Sequence, residues 1–305
     1  MLEDRLVYLN GDFYPWCEAN VHIMCHSFGR GSAIFEVMSV HETDSGAAIF
    51  RLDEHISRFF YTAELLGMEC PLSYDAFLEV VRGTVRENRL RQGAIKVIGF
   101  YPQISFEILP PEKMLDIAVF AIDPLRDMVQ RSIPFEKVTT ACISSWRKLD
   151  PKTVPVEAKA AANYLNGMVA RGEARERGFD HAVMLDTQGF VAEGGTESIF
   201  IVKERMLLTP ATGTILRSIT RKSLLEMTGV LDIESAEIRL FPEDLFQASE
   251  IFFSGTPLKV LPVRKMETRV FDEVPGPITR QLSLLMEDIV TGRDERFKEW
   301  LFPVH

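Results

Sequence analysis

At 305 residues, 46% hydrophobic and 26% charged, with a mean hydropathy of +0.02, the chain is long enough for two cores and composed like a soluble globular protein. A formal charge of −10 argues against nucleic-acid binding, which calls for a basic face, and no apolar run approaches the ~18 residues of a membrane span. Cys17, Cys25, Cys70 and Cys142 lack CxxC spacing and the six histidines lack ligand spacing, so neither a disulfide framework nor a metal site is indicated; with a start, Met-Leu-Glu-Asp-Arg, that has no apolar signal core, this predicts a cytoplasmic protein.

Residues 7–9 and 12–14 flank Asn10-Gly11 and predict a hairpin. Residues 32–40 read as a strand, closed by the turn-rich 41–46, with 47–51 returning beside it. Asp53 is placed to cap a helix whose apolar face is Ile56, Phe59, Phe60, Ala63 and Leu66, and Gly67 stops it. Residues 74–89 repeat the helical period, and 94–100 and 116–122 are apolar, strand-like runs. Residues 1–123 therefore read as a small α+β domain, 124–134 as a linker, and 135–305 as a larger domain of short strands and helices. In the latter we expect strands at 137–144, 181–186, 190–193, 198–202, 206–209, 251–253 and 259–263. Helices are expected at 157–177, after Ser218 and at 278–290.

Lys159 stands among Ala158, Ala160, Ala161 and Ala162, with Asn163 and Tyr164 just beyond. Small neighbours let a flat group approach the amine, and an apolar setting favours its uncharged, nucleophilic form. A lone lysine in such a run is ordinarily a surface residue; three further segments shift the balance. Residues 213–220 lead into a helix whose first N–H groups, at Ile219 and Thr220 after Ser218, suit a phosphate. Ser254-Gly255-Thr256 places a hydroxyl and a close-approaching backbone at a strand end, and Arg58 flanks the apolar face of its helix, where its fork suits a phosphate or a salt bridge. Glu193, followed by Gly194-Gly195, offers a carboxylate that could hold a pyridine nitrogen protonated, while Glu197 reads as a solvent-facing turn carboxylate. The third glycine of a dinucleotide fingerprint, HExxH and GxSxG are all absent.

Lys159 in Ala-Lys-Ala-Ala-Ala-Asn-Tyr-Leu, Glu193 in Glu-Gly-Gly-Thr-Glu-Ser-Ile-Phe, Ser-Ile-Thr-Arg from Ser218 and Ser-Gly-Thr from Ser254 resemble the class IV (fold type IV) pyridoxal-phosphate enzymes, and among them the branched-chain amino acid aminotransferases. The resemblance runs from the Tyr8-Leu9-Asn10-Gly11 hairpin to about residue 290 and includes Asp53-Glu54-His55-Ile56-Ser57-Arg58. It implies a two-domain α/β (α+β) subunit with pyridoxal 5'-phosphate between the domains, and a homodimer or higher homo-oligomer completing each site. It implies transamination between an aliphatic amino acid and a 2-oxo acid such as 2-oxoglutarate. Lys159 would be the Schiff-base lysine and proton carrier, Glu193 the partner of the pyridine nitrogen and Tyr164 a neighbour of the phenolic oxygen. Arg58, Ser218, Ile219, Thr220 and Thr256 would hold the phosphate.

The substrate half departs from that pattern. Pro257 follows Gly255-Thr256 where these enzymes usually carry alanine, and a proline has no N–H for the substrate carboxylate. Arg30 and Lys96 are the cations that could replace it, and Phe35 is a candidate pocket wall. Ile122, Leu125, Val37 and Ser39 thin the expected aromatic and polar lining, and Phe35-Glu36-Val37 is closer to the D-amino-acid transaminase version. D-amino acid or amine transamination, an aminodeoxychorismate lyase and a silent ligand-binding relative therefore stand as alternatives.

Overall fold

The structure, a computed structural model, describes residues 2–128 and 138–305. It divides into one unit of Met1–Pro134, Ala158–Ala162 and Asp288–His305, and another of Phe135–Glu157 and Asn163–Glu287.

The first unit is built on an antiparallel sheet. Its strands are β1 (Leu6–Leu9), β2 (Asp12–Pro15), β3 (Ile34–Thr43), β4 (Gly46–Phe50), β5 (Gly93–Phe100) and β6 (Asp116–Ile122), with the C-terminal strand Leu301–Pro303 on its edge. The spatial order runs from that edge strand through β4, β3, β5, β6 and β1 to β2. Asn10 and Gly11, both at positive φ (50° and 114°), make the tight turn between β1 and β2 that the sequence requires. The helices are α1 (His26–Arg30), α2 (Leu52–Leu65), α3 (Tyr74–Glu87) and α4 (Pro124–Asp127). Ile56 and Phe59 of α2 and Phe77, Val81 and Val85 of α3 form one core with Ile34, Met38, Ile95 and Val97 of the sheet. Asp53 does not cap α2: Arg51, left-handed at φ 52°, precedes the helix and Asp53 lies within its first turn. The acid is well placed for the helix dipole there, which is why the sequence signal is shared between the two positions. Of the expected linker 124–134, residues 124–127 form α4, capped by Asp123; 129–134 lie outside the described residues, as does Lys137 at the expected start of the next strand.

The second unit holds a mixed sheet. Its strands are β7 (Thr139–Arg147), β8 (His181–Leu185), β9 (Val191–Gly194), β10 (Ser198–Lys203), β11 (Met206–Pro210), β12 (Ser235–Ile238), β13 (Glu250–Ser254) and β14 (Leu261–Met266), with β15 (Arg269–Val270) attached to β14. β7 pairs in parallel with both β8 and β14, and β11 with β12; the remaining pairs are antiparallel. Helix α5 (Tyr164–Glu176) lays Ala170 and Ala174 against Cys142, Ala182 and Met184, small side chains that bring helix and sheet close. Helices α6 (Ile219–Thr228), α7 (Pro242–Gln247) and α8 (Pro277–Val290) complete the set.

The largest departure from the sequence reading is at residue 159. The helix expected over 157–177 begins only at the 3-10 turn Ala161–Asn163 and becomes α-helical at Tyr164. Lys159 lies in an extended segment that adds to the edge of β3: Phe35 N–H donates to Lys159 O (3.1 Å), Ala161 N–H to Ala33 O (2.8 Å), and Ile34 bridges Ala160. Alanine propensity favours helix by only tenths of a kcal/mol per residue, and strand pairing overrides it here.

Candidate active site

In the first unit the alternation of β3 sorts its side chains. Ile34, Glu36 and Met38 are fully buried, the apolar pair within the core shared with α2 and α3, whereas Phe35 and Val37 alternate with them onto the opposite face. On that face Lys159, only 9% exposed, sets its Nζ over the Phe35 ring, 4.7 Å from the centroid. Its backbone N–H donates to Thr62 Oγ1 of α2 (3.1 Å), so the residue is tied both to β3 and to a helix. Lys96, opposite Val37 in register, places a second amine 5.5 Å from the same ring centroid. One aromatic ring thus has two amines near its centroid, a setting that ring quadrupoles stabilise for cations.

Glu36, on the helix side, is the hub for Arg58. Arg58 Nε donates to Oε1 and Nη2 to Oε2, both at 2.7 Å, and His55 Nδ1 lies 2.8 Å from Oε2. Burial pushes this carboxyl up, but the charge and hydrogen bonds of Arg58, with those of His55, outweigh burial and hold it down to about 2. The salt-bridge reading of Arg58 is therefore realised, and the same pair fixes the direction of its guanidinium. Arg30, at the end of α1, donates from Nη2 to Phe106 O (2.7 Å) and from Nε to Glu107 O (3.4 Å). Its fork clasps the 104–109 loop, which His26 also holds through Ile108 O (3.2 Å).

In the second unit Glu193 lies in β9, one residue from its end, at 6% exposure, and Lys148 Nζ lies 2.5 Å from its Oε1. Gly194 and Gly195 follow in crowded positions: a Cβ at Gly194 would meet Glu197 Oε2 at 2.8 Å, and one at Gly195 would come within 3.1 Å of Gly167 O of α5. Glu197 is not the solvent-facing carboxylate expected from its turn context; it is 4% exposed. Arg171 Nη1 (3.0 Å) and Thr196 Oγ1 (2.7 Å) donate to its Oε1, Thr196 N–H to Oε2 (3.0 Å), and His181 Nδ1 stands 3.4 Å away. Burial pushes this carboxyl up, and His181, Arg171 and the Thr196 N–H together bring it down to about 2. Partners drawn from α5 and β8 make burial of the charge tolerable, and no local sequence signal reveals them.

Ser218 caps α6 by accepting from Arg221 N–H (3.2 Å), so its hydroxyl serves the helix start, where Ile219 and Thr220 are both buried. Tyr164 opens α5, half-buried. At the ends of β10 and β13, Ser198 and Ser254 face each other in register, and their buried hydroxyls have no hydrogen-bond partner among the described residues. Gly255 and Thr256 follow at intermediate exposure and Pro257 is exposed. Sequence reasoning missed Lys148, Glu36, His55, Arg171 and His181. Lys148 in particular sits in Arg147-Lys148-Leu149-Asp150-Pro151-Lys152, which reads as an ordinary charged loop.

The profile of the family described as amino-transferase class IV matches residues 33–266. The branched-chain-amino-acid aminotransferase of Salmonella typhimurium is 31% identical over 301 residues, 98% of this chain and 97% of that protein. Among solved structures, the branched-chain aminotransferase of Thermoproteus uzoniensis with norvaline superposes at a TM-score of 0.92, 31% identical over 99% of both chains. The T.th. branched-chain amino acid aminotransferase complexed with N-(5'-phosphopyridoxyl)-L-glutamate does so at 0.93, 30% identical over 100% of both. The chain belongs to the class IV aminotransferases.

Because Glu36 and Glu197 are held below the carboxyl range of the unfolded chain (4.5), the stability they contribute is fully present above about pH 4.5 and is lost as pH falls toward 2. Glu197→Gln is expected to cost about 1–3 kcal/mol at neutral pH by taking from Thr196 and the partly exposed Arg171 the anion they share. It should also flatten the acid limb of the melting-temperature profile; parallel limbs for variant and wild type would contradict the assignment.

Proposed function

We propose that the chain is a pyridoxal-phosphate-dependent aminotransferase acting between a branched-chain L-amino acid and a 2-oxo acid such as 2-oxoglutarate. The carrying observation is Lys159, a nearly buried amine over an aromatic face, held by backbone bonds to β3 and by Thr62. The donor set suits a flat, phosphorylated, cationic ring. Glu193 offers a carboxylate beside two glycines, and α6 opens on N–H groups. Ser198 and Ser254 keep buried hydroxyls whose lack of a partner is costly unless a ligand or water supplies one. The relatives' solved complexes with pyridoxamine 5'-phosphate and N-(5'-phosphopyridoxyl)-L-glutamate support the same reading.

When bound, pyridoxal phosphate supplies the electron sink that makes the Cα–H bond of an amino acid breakable. Lys159 Nζ would hold the cofactor and, once freed by the amino donor, would be the base that carries the substrate's Cα proton. Glu193 would hold the ring nitrogen protonated, and Tyr164 would bond the phenolic oxygen. Ile219, Thr220, Thr256 and Arg58 would hold the phosphate, Ser218 supporting them as the α6 cap. Phe35 walls the side-chain pocket, and Gly255 lets the substrate approach beside Pro257. With the Arg30 fork engaged by Phe106 O and Glu107 O, Lys96 is the cation assigned to the substrate carboxylate. Exposed Phe28, Ile104, Phe106, Ile108 and Leu109, which the Cys25–Ile104 bridge brings together, support assembly as a homodimer. Four free cysteines support a cytoplasmic setting, and no helix among the described residues is long and apolar enough to cross a membrane.

Transamination between L-leucine and 2-oxoglutarate, followed by production of glutamate, tests the function. Lys159→Ala is expected to lower its rate by on the order of 10²- to 10⁴-fold or more while still retaining the cofactor through the phosphate contacts; a wild-type rate would end this assignment. Lys96→Gln should remove about 1.5–3 kcal/mol of carboxylate binding, raising KM for the amino donor roughly tenfold or more, with Arg30→Ala leaving KM little changed. The reverse pattern would move the role to Arg30.

A further inference from the structure

Lys148 has no role in the scheme above, yet it is the group closest to Glu193. Its Nζ lies 2.5 Å from Oε1, and the two side chains are 11% and 8% exposed. Its backbone is fixed on both sides. Lys148 N–H donates to Leu185 O (2.8 Å) at the end of β8, Asn166 Nδ2 of α5 donates to Arg147 O (3.0 Å), and Leu149 N–H donates to Asn166 Oδ1 (3.2 Å). A lysine of a mobile surface loop would need none of these ties. From the other side, the turn after Glu193 is closed by Gly194 N–H donating to Glu197 O (2.6 Å) and braced by the Arg171–Glu197 pair. Both partners of the Lys148–Glu193 pair thus enter on rigid backbone. An ion pair this far from water repays desolvation only with good geometry and with its remaining valences met. Glu193 has a second oxygen to offer.

We propose that Lys148 is a positioning residue for the transamination reaction: it fixes the Glu193 carboxylate through Oε1 and takes up part of its charge, so that Oε2 is presented to the ring nitrogen of the cofactor. The inference rests on the reading of Glu193 as that nitrogen's partner. It explains why a cation stands beside the buried Glu193 carboxylate. It also explains why the Arg147–Leu149 segment is clamped to both α5 and β8. Lys148 touches neither substrate nor cofactor in this scheme and acts through Glu193 alone.

A double-mutant cycle on the holoenzyme tests it: Lys148→Gln, Glu193→Gln and the two combined, read by kcat, KM and the pH midpoint of the cofactor's visible band. Lys148→Gln is expected to lower kcat by on the order of 10- to 100-fold with little change in KM, as loss of a supporting partner does at other sites, and Lys148→Arg to restore most of it. In the Glu193→Gln background Lys148→Gln should cost nothing further, because the lysine there is a cation without its anion. An equal cost in both backgrounds, or none in either, would overturn the proposal. A Glu193→Gln variant with wild-type kcat and band midpoint would instead remove the Glu193 reading beneath it. If Lys148→Gln does not fold, Lys148→Arg decides: a planar fork replacing a point charge shifts the band midpoint if residue 148 faces Glu193 in the working enzyme, and an unmoved midpoint refutes it.

Discussion

Two backbone hydrogen bonds between residues 159–161 and residues 33–35, at the start of β3, are the constraint on which the chemistry depends. They hold Lys159 in an extended conformation on the edge of a sheet and not on a helix, and so decide which face its amine shares. Phe35, one residue into the same pairing, then becomes the surface under the amine, and Glu36, pointing the other way, becomes the anchor of Arg58. A shift of one residue in this register would exchange the two faces and separate the nucleophile from its aromatic floor.

Each unit also keeps carboxylates away from water beside a cation: Glu36 with Arg58 in the first, and Glu193 with Lys148 and Glu197 with Arg171 in the second. Buried pairs of this kind contribute little net stability compared with apolar packing. Their value is directional. Arg58 is aimed by a two-point clasp, Glu193 by a single contact that leaves an oxygen over, and Glu197 by a network that closes the Gly194-Gly195 turn. Removing the cation from any of them leaves a carboxylate stranded in the interior, so position and stability are coupled at all three.

Much of this was legible from residue order. Hairpin, strand and helix signals located most elements to within a few residues, and Lys159, Glu193, Ser218 and Ser254 stood in motifs whose order alone indicated the family. What escaped has a common physical cause. The path of residues 158–160 is decided by hydrogen bonds to residues more than a hundred positions away, against the local preference of four alanines. Glu197 reads as a turn carboxylate because Arg171 and His181 reach it from other elements. Lys148 looks like any charged loop residue until β8 and α5 are folded beside it. Arg30 is similar: Gly-Arg-Gly suggests a free cation, and only the loop at Phe106 and Glu107 shows where its fork goes. Local pattern reveals which chemistry is carried; long-range partners decide how each group is aimed.

The most direct test is the visible absorption of the purified protein saturated with pyridoxal phosphate, recorded while L-leucine and then 2-oxoglutarate are added. The account predicts a yellow band that bleaches to the colourless amine form of the cofactor with the donor and returns with the acceptor. A yellow band that no branched-chain L-amino acid changes would contradict it.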